Sequence, residues 1–419
     1  MTDADLPIVV VGAGAAGTMA AIFAAAGGRR TLLVERTRDG GRKILISGGG
    51  RCNVLPSEVS ADRYFTESSR NSLKKMLLSW PLAEQRRFFE DEVGVPLALE
   101  PETGKLFPES NRARDVRDGL IALARRRGAE TRFDTKVVGL RPPSGTEPWK
   151  VLVEGGEEIA AAAVVLATGG LSVPATGSDG TGFRIARQLG HGLHETYAAL
   201  TPLTANPPVH AELAGVSLEV TLDAPLPKGS LQSRGGFLFT HRGYSGPTVL
   251  NVSHLAVRSA GWEPARRQPV YAQWTSLDAR GWEALLLEAG PGTIGSLVRR
   301  QLPQRLADRL LEESGVDPER TRSQLRREER ARLVEALARY RLPWTGDEGY
   351  KKAEVTGGGV PLGEVDPRTG ESRVAPGLFL CGEILDCFGP IGGYNFSWAW
   401  ATGRAAGLGA AASLDGTGA

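Results

Sequence analysis

A chain of 419 residues with 41% hydrophobic and 23% charged residues is long enough for two or three soluble domains with a large core. Its formal net charge of +2 gives no broad electrostatic reason to expect nucleic acid or an anionic membrane as partner, so a small-molecule substrate is expected. No run reaches the ~18 apolar residues of a membrane helix, and the opening Met-Thr-Asp-Ala-Asp is acidic where a signal peptide is basic, so a cytoplasmic location is expected.

The first element is the apolar strand Ile8-Val-Val-Val11, which runs into Gly12-Ala-Gly-Ala-Ala-Gly17. This strand followed by GxGxxG seats a dinucleotide pyrophosphate on a helix N-terminus. Gly12 is expected to make the tight turn, Gly14 to let backbone approach the phosphates, and Gly17 to let helix pack on strand, with Ala15 and Ala16 in the first helical turn. The Ala-rich stretch 18–26 suits the helix. Arg30-Thr-Leu-Leu-Val-Glu35 reads as a second strand ending in an acid, about 20 residues past the glycines, that accepts from the adenosine ribose. An acid there repels a 2′-phosphate, which disfavours NADP at this site. The bland alternative, a Gly-rich turn with a surface Glu, does not account for strand, turn, helix, strand and acid in order.

Gly41-Arg-Lys-Ile-Leu-Ile-Ser-Gly-Gly-Gly-Arg-Cys-Asn53 follows at once. Arg42, Lys43 and Arg51 are candidates to neutralise pyrophosphate or orient a flavin. Ser47, Gly48, Gly49, Gly50, Cys52 and Asn53 form a run of backbone that can lie against a flat ligand. Arg36, next to the acid, is also counted as a cofactor residue. Helices are predicted around 68–92 and 112–127, and strands at 131–139, 150–154 and 163–167, with Val137 and Val138 counted among the cofactor-facing residues. The buried strand at 163–167 ends in Thr168-Gly169-Gly170, at the carboxyl edge where open α/β sheets bind ligands. Gly177–Gly182 then opens another helix and is a candidate to support the same ligand region, the alternative being a plain turn with Asp179 as its cap.

After residue 195 the composition changes to Pro-, Gly- and Thr-punctuated segments, with strands predicted at 216–222 and 270–274 and helices at 293–313 and 319–341. The stretch 196–353 therefore reads as an insert, β-rich over 196–290 and helical over 291–345. Its arginines between Arg320 and Arg332 are interrupted by Glu328 and Glu329 and read as a solvated face rather than an RNA surface. From Glu354 the chain returns to the cofactor domain, which is thus discontinuous over 1–195 and 354–419. In Gly377-Leu-Phe-Leu-Cys-Gly382-Glu383-Ile-Leu-Asp386, either carboxylate can bind ribityl hydroxyls. Gly392, Gly393, Tyr394 and Asn395 open the closing helix, predicted over 395–411, and their N–H groups can stabilise negative charge on a reduced flavin. A flavin needs such a partner and a nicotinamide does not, which favours FAD.

The cysteines Cys52, Cys381 and Cys387 are widely spaced with no CxxC pair, which argues against a disulfide framework, a zinc site and dithiol redox chemistry. The five histidines show no HExxH grouping, and no metal is expected.

GRKILISGGGRCN, FLFTHRGYSGPTVLNVS, EVTGGGV and GLFLCGEILD with GGYN together resemble the FAD-dependent flavoproteins that include aminoacetone oxidase and the bile-acid reductase BaiN, in the same order from about residue 8 to 410. The resemblance implies an α/β fold: a Rossmann-like FAD domain, a parallel sheet flanked by helices, with an inserted β-barrel and small helical part. For chemistry at the ring, His241 and Tyr244 are candidate proton donors, the alternative being a tight turn that presents backbone through Gly243 and Gly246. Trp398 and Trp400 could line an apolar pocket, although core packing explains them equally well. The leading expectation is an FAD-dependent oxidoreductase that reduces an activated C=C with electrons from transiently docked NAD(P)H. Oxidation of an amine with O₂ is the alternative reaction. A flavin-dependent RNA-modifying protein and a non-enzymatic flavin binder are the alternatives of other classes.

Overall fold

Ile8–Val11 is apolar at every position and buried along its whole length, as a strand covered on both faces requires. It is the middle strand of a five-stranded parallel sheet ordered Leu378–Leu380, Ala163–Leu166, Ile8–Val11, Thr31–Val34, Ala129–Arg132, with Ile8 opposite Ala163 on one side and Thr31 on the other. The computed structural model describes residues 6–415, which divide into two units: the stretch to Tyr197 together with that from Glu354, and Ala198–Ala353. No helix among the described residues is long and apolar enough to cross a membrane.

Two helices cover one face of the sheet's first turn. Ala15–Ala26 packs along Tyr394–Ser413 so closely that a Cβ on Gly403 would overlap the Ala16 carbonyl oxygen, and one on Gly407 that of Ala20. The alanines of the first helix and the glycines of the last are therefore a matched pair of surfaces.

Several elements differ from their predicted extents. The strand expected at 131–139 is two strands in different sheets: Ala129–Arg132 ends the parallel sheet, and Val137–Arg141 pairs with Trp149–Val153 in a three-stranded antiparallel one. The break falls at Asp134, φ +51°, where the Thr135 N–H turns back to the Glu35 carbonyl at 2.9 Å. The helix expected at 68–92 is interrupted before Leu82–Arg87 by Pro81, and that at 293–313 by Pro303, because proline donates no hydrogen bond and disfavours a helical residue before it. The helix expected at 319–341 is a single turn at Arg322–Gln324 and then Arg327–Ala338, because Tyr340–Arg341 joins the sheet beside Tyr271–Gln273. Helices Pro247–Ser259 and Ala279–Leu287 were not anticipated, and each starts on a recognisable signal: a proline in its first turn, and Asp278 accepting from Gly281 N at 2.8 Å.

The second unit carries a seven-stranded antiparallel sheet whose edge strands are Tyr340–Arg341 and Gly346–Asp347. A link that short reaches at most about 17 Å, so the sheet curls to bring its edges together. Its core holds Phe237, Phe239, Tyr244 and Trp274, with Phe237 and Phe239 centroids 4.9 Å apart. A polar pin crosses it: His210 Nδ1 meets the Tyr244 hydroxyl at 2.9 Å, His210 Nε2 meets Glu313 Oε1 at 3.1 Å, and Tyr340 donates to Glu313 Oε2 at 2.8 Å. Burial would raise the Glu313 carboxyl, but hydrogen bonds from His210, Tyr340 and Arg309 outweigh it and bring its pKa down to about 2.

A carboxyl held below its unfolded value stabilises the fold above that value and loses the contribution as pH falls toward the folded one. Acid titration followed by tryptophan fluorescence, to which Trp274 reports, is expected to show loss of stability as pH falls from about 4.5 towards 2, and Glu313→Gln to remove that dependence. In the first unit, Gly407→Ala is expected to cost about 1–3 kcal/mol by forcing the two helices apart, read as a thermal midpoint lowered by several degrees.

Candidate cofactor site

The three glycines of the first turn have separate jobs. Gly12 takes φ +102°, and a Cβ there would lie 2.6 Å from the Ala167 carbonyl oxygen; one on Gly17 would overlap the Gly12 carbonyl. Gly14 has an ordinary φ of −79° and faces open space, with no atom within 4 Å of a Cβ. Nothing in the protein asks for glycine at 14, whereas a phosphate lying across the helix N-terminus does. Ala15 and Ala16 begin that helix.

Glu35 is 8% exposed; its Oε2 accepts from Ala13 N at 2.8 Å, and its Oε1 accepts from Thr37 N and the Thr37 hydroxyl at 2.7 and 2.8 Å. Two lone pairs per oxygen leave Oε2 one position for a ribose hydroxyl. Arg36 turns to Asp179 in an ion pair.

The second run starts at Arg42–Ile46, where Arg42 pairs with Asp39 at 2.9 Å and the Ser47 hydroxyl closes the turn on Ile44 O at 2.8 Å. Gly48, Gly49 and Gly50 are exposed with φ of +56°, +68° and +86°, and Cβ atoms on the last two would meet nothing. Three left-handed residues in a row present bare backbone to whatever lies above them. Arg51 lies over the Phe107 ring, 3.9 Å from its centroid, and bonds Glu100 at 3.1 Å. Cys52 is fully buried and burial pushes its thiol up to about 12, so it is an inert packing group.

Asn53 joins this run to the last one. In the amide orientation that satisfies both atoms, its nitrogen donates to Leu55 O at 3.2 Å and its oxygen accepts from Gly393 N at 3.1 Å. A Cβ on Gly393 would sit 2.5 Å from the Leu55 carbonyl carbon, Tyr64 donates to Tyr394 O at 2.8 Å, and Trp400 donates to Val54 O at 3.0 Å. Gly392 and Gly393, with φ of +116° and +90°, lead into Tyr394–Ser413, whose first-turn N–H groups have no partner within the helix. Asn395 fastens this entry by bonding Gly389 N and O at 2.8 and 3.0 Å. Two stretches some 340 residues apart thus form one cradle of backbone beside the positive end of a helix.

Lys43 and Glu383 meet at 2.7 Å. Glu383 Oε1 also accepts from the Ser172 hydroxyl at 2.5 Å and from Thr356 N and hydroxyl at 3.0 and 2.9 Å, and Thr356 Oγ1 accepts from Leu171 N at 2.7 Å. Ser172 and Thr356 went unrecognised from sequence, since a lone hydroxyl near a glycine run carries no periodic signal. Asp386 is 2% exposed, and one of its oxygens accepts from Thr66, Glu67 N and Ser68 at 2.9, 2.9 and 2.8 Å, so it anchors the 66–68 turn. Gly169 and Gly382 take φ of +71° and +79°, and Gly170 abuts the Thr356 side chain. The Thr168 hydroxyl is buried and, among the described residues, unpartnered. Val137 pairs with Val153, and Val138 O accepts from Arg184 at 2.9 Å. Trp398 and Trp400 are core residues, 2% and 0% exposed. In the second unit His241 is exposed at the hairpin end, and Tyr244 is sealed with its hydroxyl on His210.

Open space at Gly14, Gly49 and Gly50 and a spare lone pair on Glu35 leave the room and the acceptor that a dinucleotide needs, so the residues present fit FAD. Fold and site define a Rossmann-type flavoprotein of the FAD-dependent oxidoreductase class. The family model described as "HI0933-like protein Rossmann domain" matches residues 6–409, and the chain belongs to that family. Among its relatives, a ribosomal RNA dihydrouridine synthase of Escherichia coli is 33% identical over 94% of this chain and 95% of its own. A second ribosomal RNA dihydrouridine synthase, of Haemophilus influenzae, is 30% identical over 96% and 97%. The 3-dehydro-bile acid delta(4,6)-reductase of Clostridium scindens is 32% identical over 96% and 98%.

A paired substitution separates ligand from fold. Gly14→Ala is expected to leave the apoprotein's unfolding within about 1 kcal/mol of the parent yet weaken FAD binding tenfold or more. Gly17→Ala is expected to destabilise the apoprotein itself by about 3 kcal/mol. Flavin fluorescence titration and thermal unfolding of the two apoproteins read the difference.

Proposed function

We propose that this chain reduces a carbon–carbon double bond conjugated to a carbonyl, with NAD(P)H as electron donor, and that its substrate is a uracil ring of ribosomal RNA. The observation that carries the proposal is the backbone cradle closed by Asn53 and Gly393, which suits an isoalloxazine, together with relatives whose reactions share one chemistry. Making dihydrouridine saturates the C5=C6 bond next to the C4 carbonyl, and a delta(4,6)-reductase acting on a 3-oxo steroid saturates a bond in the same relation to a carbonyl. In both, the β-carbon takes a hydride, the α-carbon a proton, and NAD(P)H becomes NAD(P)⁺. FAD held in that cradle would supply the hydride-transfer chemistry.

The chain's own residues do the rest of the work. The N-terminus of helix Tyr394–Ser413 offers positive potential where negative charge builds up on reduction. The Lys43–Glu383–Thr356 network holds a cation and a carboxylate in fixed positions at the carboxyl edge of the sheet. Of the two candidate acids in the insert, His241 is open to solvent and is our choice for the proton donor; the Tyr244 hydroxyl is held inside by His210. The RNA-acting relatives favour uridine over a steroid enone, against the small molecule that net charge suggested.

The test is anaerobic. NADH or NADPH should bleach the flavin band near ~450 nm, and ribosomal RNA lacking dihydrouridine should restore it while one uridine gains two hydrogens by mass. Restoration by a steroid dienone alone would replace the RNA substrate with a small one, and bleaching by amines alone would overturn the reductase assignment.

A further inference from the structure

We infer that Lys105 is the cation that takes up the negative charge of the reduced flavin; this rests on the cradle reading above and on no particular substrate. Lys105 opens strand Lys105–Pro108, whose register sets it opposite Pro56 on one side and Glu100 on the other. The residue before Pro56 is Leu55, against whose carbonyl carbon Gly393 is pressed. The same strand pairing therefore carries the Lys105 side chain to the late glycine turn, where its Cε lies 3.7 Å from the point a Cβ on Gly392 would occupy. The ammonium is one bond farther on, beside the entry to helix Tyr394–Ser413.

The lack of a partner sets Lys105 apart. Of the nine lysines, four are drawn in from full exposure: Lys43, Lys105, Lys136 and Lys150. Lys43 pairs with Glu383 at 2.7 Å, Lys136 with Glu154 at 2.5 Å and Lys150 with Glu147 at 3.1 Å. Lys105 has no ion pair among the described residues, and the carboxylate across from it, Glu100, is already held by Arg51 at 3.1 Å and by the Thr103 hydroxyl at 2.5 Å. Glu354 lies within range of the charges of Lys105 and Lys43 and pairs with neither. A positive helix end and an unmatched ammonium repel one another until an anion joins them. In the cradle, that anion is the isoalloxazine: a neutral ring that gains a hydride from NAD(P)H carries one negative charge. The helix end offers a partial charge of about one half, and the ammonium adds a whole, compact one. Because the oxidised ring is neutral, Lys105 favours the reduced form over it.

The experiment reduces FAD-loaded parent, Lys105→Met, Lys105→Gln and Lys105→Arg stepwise and anaerobically with dithionite beside a redox dye of known potential. It reads the ratio of reduced to oxidised flavin at one fixed potential. Lys105→Met and Lys105→Gln, two neutral side chains of different polarity, should each lower that ratio about tenfold, which is about 30 mV for a two-electron couple. Lys105→Arg keeps the charge and should stay within about threefold of the parent. Equal ratios in the parent and the neutral variants would overturn the inference. So would a fall that Lys105→Arg shares with them, since that marks a packing role. Neither NAD(P)H nor RNA enters the measurement, so either failure leaves the uridine reading intact, whereas a parent apoprotein that takes up no FAD would overturn the cradle and Lys105 together.

Discussion

Main chain packed against main chain, at places where a single added carbon would collide, is the constraint on which this structure depends. The first turn closes because Gly17 lies on the Gly12 carbonyl, the first and last helices meet because Gly403 and Gly407 lie on Ala16 and Ala20, and the late run reaches the early one because Gly393 lies on Leu55. Each contact removes side chains from a junction so that rigid elements can approach, and together they bring the two ends of the cofactor domain side by side. The remaining glycines of the motif, at 14, 49 and 50, have the opposite environment: space. Glycine serves packing in one set and leaves bare backbone with room above it in the other, and the surroundings tell them apart.

Around this frame the polar groups are assigned with little redundancy. Glu383 gathers Lys43, Ser172 and Thr356, and so ties the early helix, the Thr168–Gly170 turn and the late strand at one carboxylate. Asp386 does the same for the 66–68 turn. Carboxylates that motif reasoning assigns directly to a ribityl chain also hold the walls of the site, since a buried carboxylate is stable only when its oxygens are satisfied. The insert follows the same rule at His210, Tyr244, Glu313 and Tyr340.

Much of this was legible beforehand where the signal is local. A wholly apolar four-residue strand, a GxGxxG turn and an acid at the end of the next strand depend on near neighbours, and the parallel sheet follows from them, while the discontinuous return of the chain was legible in the change of composition after residue 195 and the strand and glycine patterns that resume at Glu354. Helix and strand ends were less legible: Pro81 and Pro303 cut helices that hydrophobic periodicity joined, and Asp134 divided one apparent strand between two sheets. Helix Pro247–Ser259 escaped notice because its glycine- and proline-rich approach reads as a β turn until the sheet is there to pack against.

The amino-acid order alone determined which segments could be strands, where a diphosphate could rest and that a flavin was the better match, because those properties reside in runs of ten or so residues. Only the tertiary structure decided that Asn53 bonds Gly393, that Lys43 pairs with Glu383 and that Ser172 and Thr356 complete the Glu383 network. Hydrogen bonds and ion pairs between distant segments depend on distances of about 3 Å that folding sets, and no pattern along the chain encodes which partner will arrive.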